Sequence, residues 1–170
     1  MIYFITGGAR SGKSSFAQNK ALLLAEDPVY VATAKVYAGD TEFEARVHRH
    51  KADRHQQWTN FEEPLYVSQL PLKGRTVVID CVTLWLTNFF SLYKRDIDAC
   101  LKAIKKEVNT LIETEGNFLI ISNEIGMGVH AETEIGRKFT DLQGWTNQYI
   151  AHIANQVILM ISGIPVVIKQ

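Results

Sequence analysis

A phosphate-binding pattern near the amino end of the chain constrains its fold more than any other feature. The residues GGARSGKS fit G-x-x-x-x-G-K-[ST] at every fixed position. The apolar run MIYFIT precedes them and a helical pattern follows, which is the order of strand, loop and helix that such a site requires. We therefore expect nucleotide contacts from Gly7, Gly8, Ala9, Arg10, Ser11, Gly12, Lys13 and Ser14.

Each residue type in this loop suits the binding of phosphate for a chemical reason. Glycines let the backbone fold closely around phosphate oxygens, and the amino end of the following helix favours their negative charge. We expect Lys13 to face solvent and to reach the β- and γ-phosphates, while the Ser14 hydroxyl binds Mg²⁺. The alternative, a chance glycine-rich turn before a helix, is disfavoured by the match of all four fixed positions in this setting.

Length and composition narrow the class of protein. A chain of 170 residues is about one domain's worth, so we predict a single nucleotide-binding domain over residues 1–170. The net charge is zero, which does not suggest a nucleic-acid-binding surface. Without an apolar run of bilayer length or a signal peptide, no membrane span is expected and the protein is predicted to be cytoplasmic. Cys81 and Cys100 lack metal-ligand spacing, and Cys81 is interpreted as a core residue.

The hydrophobic pattern predicts an α/β fold. Apolar runs at residues 28–34, 76–80, 118–122, 157–161 and 166–168 predict strands, and apolar stripes over 97–112 and 135–153 recur at the helical period of about 3.6 residues. Alternating strands and helices indicate a mostly parallel sheet covered on both faces, a three-layer αβα arrangement. The last two strands are too close for a crossover, so an antiparallel carboxyl-terminal edge hairpin is expected. Residues 57–69 are interpreted as irregular, with a turn near Pro64.

Four polar segments follow predicted strands. They are residues 7–14, Ala32 to Ala34, Asp80 and Asn123-Glu124, and the carboxyl ends of parallel strands form the ligand crevice of such sheets. Asp80 is placed where a Walker B acid stands and is predicted to hold Mg²⁺ beside Ser14. A strand-end acid or a helix cap is the structural alternative.

Residues 42–55 hold a second candidate site. If they are helical, Arg46, His50 and Arg54 fall on one face, with Asp53 three residues after His50. Two guanidinium groups beside an imidazole could hold phosphate oxygens around a nucleophile. The residues alone favour a solvated helix of mixed charge, and they do not choose among His48, His50 and His55.

Two further groups have open interpretations. Glu62 and Glu63 could contact a metal or a guanine, but a turn before Pro64 explains them equally well. The late helix has a polar face that could line the crevice, although salt bridges and caps are the commoner explanation; its residues are Arg137, Phe139 and Asp141, with Asn147 and Gln148.

Several segments together resemble the bifunctional adenosylcobinamide kinase / adenosylcobinamide-phosphate guanylyltransferase family of cobalamin biosynthesis. They are TGGARSGKS at 6–14, YVATA at 30–34, RVHRHKADR at 46–54, the W-x-x-x-E-E-P element at 58–64, IDCVTLWLTN at 79–88, SNEIGMG at 122–128 and GRKFTDLQGWTNQ at 136–148. The resemblance extends to the closing SGIPVVIK. Asn60 and His130-Ala131 depart from the family pattern, which affects only the expected loop conformation and leaves open whether both activities are retained.

The resemblance implies a fold, two reactions and their residues. The fold is a RecA-like P-loop NTPase. The enzyme phosphorylates adenosylcobinamide with ATP or GTP, using Mg²⁺, and then transfers GMP from GTP to that phosphate, giving adenosylcobinamide-GDP and pyrophosphate. The family pattern R-[IV]-x-x-H-x-x-x-R assigns the guanylylated histidine to His50, flanked by Arg46 and Arg54. A homo-oligomer is implied, with a trimer as one form. The nucleotide contacts implied beyond the loop are Ala32, Thr33, Ala34, Lys51, Ala52, Asp53, Arg54, Glu62 and Asp80.

Two other functions are weighed against this one. A small-molecule P-loop kinase with a single activity would have the same loop and would leave His50 as a surface residue. A nucleotide-dependent regulatory protein of the GTPase type is disfavoured, because Ser122-Asn123-Glu124-Ile125 stands where an N-K-x-D motif would be expected and lacks its Lys and Asp.

Overall fold

The structure is a computed structural model that describes residues 1–35 and 57–170. The candidate site at residues 42–55 lies outside these ranges. The residues predicted for it also lie outside the described residues: Arg46, His48, His50, Lys51, Ala52, Asp53, Arg54 and His55.

The described residues form a seven-stranded sheet with the order β3-β2-β4-β5-β1-β6-β7. All neighbouring strands are parallel except β6 and β7, which are antiparallel. The predicted α/β class, the mostly parallel sheet and the antiparallel edge hairpin are confirmed. The strands are β1 (Ile2–Gly7), β2 (Val29–Ala32), β3 (Thr59–Glu62), β4 (Arg75–Asp80), β5 (Gly116–Ile121), β6 (Gln156–Ile161) and β7 (Ile164–Lys169).

Within the described ranges, four α-helices connect these strands, and the longer two begin with side-chain caps. Asp96 accepts a hydrogen bond from the Ala99 N–H, and Thr133 accepts one from the Gly136 N–H, which satisfies donors that a helix start leaves unpaired. None of the helices in the described ranges combines the length and the hydrophobicity needed to cross a bilayer. The helices are α1 (Lys13–Leu24), α2 (Val82–Leu92), α3 (Ile97–Glu113) and α4 (Glu134–Ile153).

The two faces of the sheet are covered by different helices. On one face, Ala17 and Ala21 of α1 pack in a cluster with strand residues such as Ile5 and Leu119. On the other face, side chains of α2, α3 and α4 form the larger cluster, which includes Trp85 and Phe118. Since both faces of a parallel sheet must be buried, this arrangement gives the predicted three layers.

Two elements differ from the sequence prediction. Residues 57–69 were expected to be irregular, but Thr59–Glu62 forms an edge strand parallel to β2. Three of its four side chains are exposed, so it lacks an apolar pattern. Helix α2 was not predicted, because one residue, Cys81, separates it from β4. In the sequence, the apolar residues of α2 therefore follow those of β4 almost without a break, and no separate helical pattern stands out.

The β6–β7 hairpin turn contacts the phosphate-binding loop. The Gly163 N–H donates to the Ser11 carbonyl at 3.0 Å. A β-carbon on Gly12 would lie 3.3 Å from the Gly163 Cα. The loop is therefore held on one side by the edge hairpin and on the other by β1 and α1.

Candidate active site

The phosphate-binding loop connects β1 to α1 at the carboxyl edge of the sheet. Gly7 has φ +149°, and a β-carbon there would lie 2.5 Å from the Met160 carbonyl oxygen, so no other residue fits without a shift of the backbone. Gly12 has φ +92° and precedes α1 without a side chain to cap it. The N–H groups of the first helical turn are thereby left for an anion.

Lys13 lies across this loop rather than in solvent. Its side chain is buried, with 7% of the residue exposed, and its Nζ donates to the Gly8 carbonyl at 2.6 Å. The expectation that Lys13 faces solvent is therefore wrong. Burial lowers the pKa of Lys13, and the nearby acidic groups, among them the Asp80 and Glu124 carboxylates, act in the opposite direction. The Gly8 carbonyl points toward the Lys13 ammonium group, so the backbone of the loop accepts a hydrogen bond from the loop's own lysine.

Asp80 ends β4 beside the start of α1. One carboxylate oxygen, Oδ2, accepts hydrogen bonds from the Ser14 hydroxyl and from the Tyr30 phenol, each at 2.7 Å. Tyr30 is fixed in turn by an edge-to-face contact with Trp58. A hydroxyl and a carboxylate are thus within hydrogen-bond distance at the mouth of the loop, and they are the oxygen ligands that a hard cation prefers.

The segment after β2 is anchored to its neighbours. Ala32 is in register with Asp80 on one side and Glu62 on the other. The Thr33 N–H donates to the Asp80 carbonyl at 3.1 Å, and its hydroxyl donates to the Cys81 carbonyl at 2.8 Å. Ala34 follows at this edge, so Ala32, Thr33 and Ala34 lie along the same edge as Asp80, with Glu62 further out on the exposed edge strand.

Glu124 follows β5, which lies between β4 and β1. Its N–H donates to the Gly7 carbonyl at 3.1 Å. Its Oε1 accepts from the Thr6 hydroxyl at 2.6 Å and from the Asn147 amide at 3.0 Å. The four polar segments predicted to meet in one crevice do lie together at the carboxyl edge of the sheet.

Comparison with known proteins identifies the family. The family model for cobinamide kinase / cobinamide phosphate guanyltransferase matches residues 3–168. The chain belongs to this family. Members of the cobinamide kinase / cobinamide phosphate guanyltransferase family carry both activities named in its description, so the predicted enzyme class and the prediction of both activities are confirmed.

Two curated relatives of this family match almost the whole chain. The bifunctional adenosylcobalamin biosynthesis protein CobP of Pseudomonas aeruginosa is 36% identical over 170 residues, covering 97% of this chain and 95% of that protein. The bifunctional adenosylcobalamin biosynthesis protein CobU of Escherichia coli K12 is 35% identical over 185 residues, covering 99% of this chain and 100% of that protein. Both have bifunctional in their names, in agreement with the family description.

One solved structure has a similar fold. An ATPase from the type III secretion system of pathogenic bacteria matches with a TM-score of 0.51 and 11% identity, over 93% of this chain and 50% of that chain. At this identity the match concerns the fold alone, and it confirms the predicted class.

Two other residues considered in the sequence analysis, Glu63 and Arg137, form hydrogen bonds with the backbone of nearby loops. Glu63 accepts from the N–H groups of Leu65 and Tyr66, both at 2.8 Å, which is the turn considered in the sequence. Arg137 donates to the carbonyls of Ala131 and Glu132 and so fixes the loop before α4. Within the described ranges, no cluster of three or more His, Cys, Asp or Glu is arranged to hold a metal ion.

Cys81 is a core residue, as predicted. It is 7% exposed and belongs to the cluster on the α1 face of the sheet. Burial, with a smaller contribution from Asp80, raises the pKa of Cys81 to about 12. Its thiol therefore remains protonated near neutral pH and does not act as a nucleophile.

The sequence analysis named Asn147 as a possible crevice residue, but it predicted neither the contact of Asn147 with Glu124 nor that of Tyr30 with Asp80. Tyr30 lies inside an apolar strand, and nothing in its sequence context indicates a hydrogen bond to Asp80. Gln143 and Asn147 are four residues apart on α4 and both are buried. Residues four apart on a helix lie on the same face, so the spacing of Gln143 and Asn147 is a sequence signal that the two side chains contact each other.

Proposed function

We propose that this chain phosphorylates the aminopropanol hydroxyl of adenosylcobinamide with a nucleoside triphosphate and then transfers GMP from GTP to the new phosphate. The products are adenosylcobinamide-GDP and pyrophosphate. The observation that carries the proposal is the family match over residues 3–168, which includes the phosphate-binding loop. The same loop geometry supports the use of a nucleoside triphosphate.

In the proposed kinase step, residues 7–14 bind the triphosphate. The N–H groups at the start of α1 donate to phosphate oxygens, and Lys13 leaves the Gly8 carbonyl to contact the β- and γ-phosphates. Since phosphoryl transfer depends mainly on positioning and on neutralising charge, these contacts supply what the reaction requires of the protein. Ala32, Thr33, Ala34 and Glu62 are proposed nucleotide contacts on the β2 and β3 side of the crevice.

The residues present fit a Mg²⁺ site. The Ser14 hydroxyl and the Asp80 carboxylate lie 2.7 Å apart, and Mg²⁺ in such enzymes is held by one or two protein oxygens, with phosphates and water completing its shell. We propose that Ser14 and Asp80 hold the ion. When bound, Mg²⁺ would neutralise charge on the phosphate oxygens.

We propose His50 as the residue that carries GMP in the second reaction. The support is the sequence pattern of Arg46, His50 and Arg54 together with the membership of the chain in the family. The imidazole nitrogen would form a bond to the α-phosphorus of GTP while the bond to pyrophosphate breaks. Arg46 and Arg54, with Lys51, Ala52 and Asp53, are proposed to contact the nucleotide.

Replacing Asp80 with asparagine tests the metal assignment. Asp80→Asn keeps the shape of the strand end, but a neutral amide is a poor ligand for a hard dication. We expect the Mg²⁺ concentration for half-maximal kinase activity to rise about 10-fold or more, the range for losing a hydrogen bond or contact to a charged group. The measurement is a titration of activity against Mg²⁺, with Asp98→Asn on the exposed start of α3 as the matched control. An unchanged curve would make Asp80 a structural residue.

Labelling GTP at different phosphates distinguishes the kinase reaction from the GMP transfer. With adenosylcobinamide present, γ-³²P-GTP should give labelled corrinoid phosphate if GTP is the donor, and α-³²P-GTP should give labelled adenosylcobinamide-GDP with release of pyrophosphate. A protein that yields only the first product is the single-activity kinase considered from the sequence.

The homo-oligomeric state is proposed on the resemblance, with a trimer as one form. The side chains of β7 support it, because Ile164, Val166, Val167 and Ile168 are between 43% and 66% exposed in the single chain. Exposed apolar patches on soluble proteins often mark protein contacts. Light scattering after size-exclusion chromatography measures the state.

A further inference from the structure

Glu124 has a position in the sheet that suits chemistry at the γ-phosphate. It follows β5, and the two strands beside β5 are β4, which ends in Asp80, and β1, which leads into the phosphate-binding loop. Its backbone N–H donates to the Gly7 carbonyl at 3.1 Å. A carboxylate is thus built into the base of the loop, on the strand between the proposed metal ligand and the phosphate site.

A buried network holds this carboxylate by one oxygen. Oε1 accepts from the Thr6 hydroxyl and from the Asn147 amide, and both donors are in residues that are no more than 6% exposed. Asn147 is fixed in turn, because its Oδ1 accepts from the Ser122 hydroxyl at 2.6 Å and from the Gln143 amide at 3.1 Å. No described residue donates a hydrogen bond to Oε2, so the network fixes the orientation of Glu124 and leaves one oxygen to accept a proton.

The two carboxylates of the crevice have different partners. Both hydrogen bonds to Asp80 fall on Oδ2 and one of them comes from Ser14, which associates Asp80 with the proposed metal site. Among the described residues, the donors of hydrogen bonds to the Glu124 side chain are neutral and come from β1 and α4. Since no cationic side chain there donates a hydrogen bond to it, the carboxylate can take a proton as a base. Lys13 is influenced by the charges of both Asp80 and Glu124, so the two acids lie in one electrostatic environment.

A cavity beside the loop that follows Glu124 could hold part of an acceptor. A cavity of about 590 Å³ begins at Ile125, the next residue, and extends between the loop at Gly126 to Ala131 and the first turns of α4, where Arg137 and Thr140 line it. Glu124 is not among the residues that line this cavity, so the cavity would hold the bulky part of an acceptor alcohol whose hydroxyl reaches past Ile125 to Glu124.

We propose that Glu124 is the general base of the kinase step, a proposal that rests on the function proposed above. The acceptor hydroxyl oxygen forms a bond to the γ-phosphorus, the bond from that phosphorus to the β-phosphate oxygen breaks, and the nucleoside diphosphate leaves. The hydroxyl proton passes to the Glu124 carboxylate and then to solvent. Thr6 and Asn147 are positioning residues, since they act through Glu124.

Glu124→Gln tests the base directly. The amide keeps the size of the side chain and can still accept from Thr6 and Asn147, but it cannot take a proton. We expect kcat for corrinoid phosphorylation to fall about 10²- to 10⁴-fold, the usual contribution of general base catalysis. The Kd for a fluorescent GTP analogue, the Mg²⁺ titration curve and labelling of the protein by α-³²P-GTP should be unchanged. Glu115→Gln, just before β5 at the opposite edge of the sheet, is the matched control.

Thr6→Val tests the network. Removing one donor to Oε1 should lower kcat about tenfold without changing KM for the nucleotide, and Thr6→Ser, which restores the hydroxyl, should recover kcat. Thr76→Val is the control, because Thr76 is equally buried in β4. A loss of kcat in Thr6→Val that Thr6→Ser does not recover would point to packing.

The outcomes separate this inference from the proposed function. If the wild-type protein does not phosphorylate adenosylcobinamide, the proposed function fails. If the wild type is active and Glu124→Gln keeps kcat within about threefold, well below the contribution of a general base, Glu124 is not the base. If excess Mg²⁺ restores the Glu124→Gln enzyme, Glu124 is a metal ligand and the inference is overturned. Should Glu124→Gln fail to bind nucleotide, the Thr6→Val and Thr6→Ser pair decides.

Discussion

His50→Ala is expected to abolish covalent labelling by α-³²P-GTP while cobinamide kinase turnover survives. GMP transfer through a phosphoramidate cannot begin without the imidazole, so the loss should be complete within detection. The kinase step passes the γ-phosphoryl group directly to an alcohol and depends on positioning and charge, which the loop at residues 7–14 provides. The measurement pairs acid-labile label on the protein with the formation of corrinoid phosphate.

Neighbouring residues provide the controls for His50. His48→Ala and His55→Ala should retain the label, because neither lies four residues from both Arg46 and Arg54. Arg54→Ala should give an intermediate loss, since removing one guanidinium weakens the hold on phosphate and leaves the nucleophile in place. A His50→Ala protein that still takes up label, or that loses kinase turnover in parallel, would contradict this division between the two reactions.

Lys13→Ala is expected to abolish nucleotide use in both reactions. A hydrogen bond to a charged group contributes about 1.5–3 kcal/mol, which corresponds to a loss of roughly 10- to 150-fold in nucleotide affinity. Charge that develops in the transition state should make the loss in kcat larger than the loss in binding. Nucleotide Kd by fluorescence and turnover by product formation measure the two effects separately.

The burial of Lys13 adds a control that the sequence did not suggest. Because the residue is only 7% exposed, Lys13→Ala also removes packed methylene groups. Lys13→Met keeps most of that volume and removes the charge, so it should lose activity to the same extent. Lys20→Ala, further along α1 and stacked on the Tyr3 ring at 4.6 Å, should leave nucleotide binding unchanged. Near-wild-type turnover in Lys13→Met would overturn the role of the ammonium group.

Much of the fold could be predicted because the central strands of the sheet are buried on both faces. β1, β4, β5 and β6 are continuous apolar runs, and α3 and α4 have clean apolar stripes, so local pattern and tertiary burial agree. The elements that were missed lack this agreement. β3 is an exposed edge strand and has no alternation of apolar and polar residues. α2 follows β4 after a single residue, so the apolar pattern of the helix is hard to separate from that of the strand.

The site was predictable to the extent that its residues are fixed by backbone chemistry. Glycines and a lysine at set spacing identify the phosphate-binding loop, and an acid after an apolar strand identifies Asp80. The contacts between side chains were not predictable. Tyr30 on Asp80 and Asn147 on Glu124 are 50 and 23 residues apart in the chain, and they meet because β2 pairs with β4 and α4 packs against the sheet.

The β6–β7 turn has a consequence for anyone who wishes to graft a peptide or a reporter into this enzyme. Short exposed turns are normally the best places for insertions, and Ser162-Gly163 has that form. Its Gly163 N–H, however, donates a hydrogen bond to the Ser11 carbonyl. A longer turn would break this bond and release the phosphate-binding loop from the hairpin. In the exposed turn at Lys94 and Arg95, the backbone N–H groups donate to the Ser91 and Phe90 carbonyls of α2, so this turn is the better point of insertion.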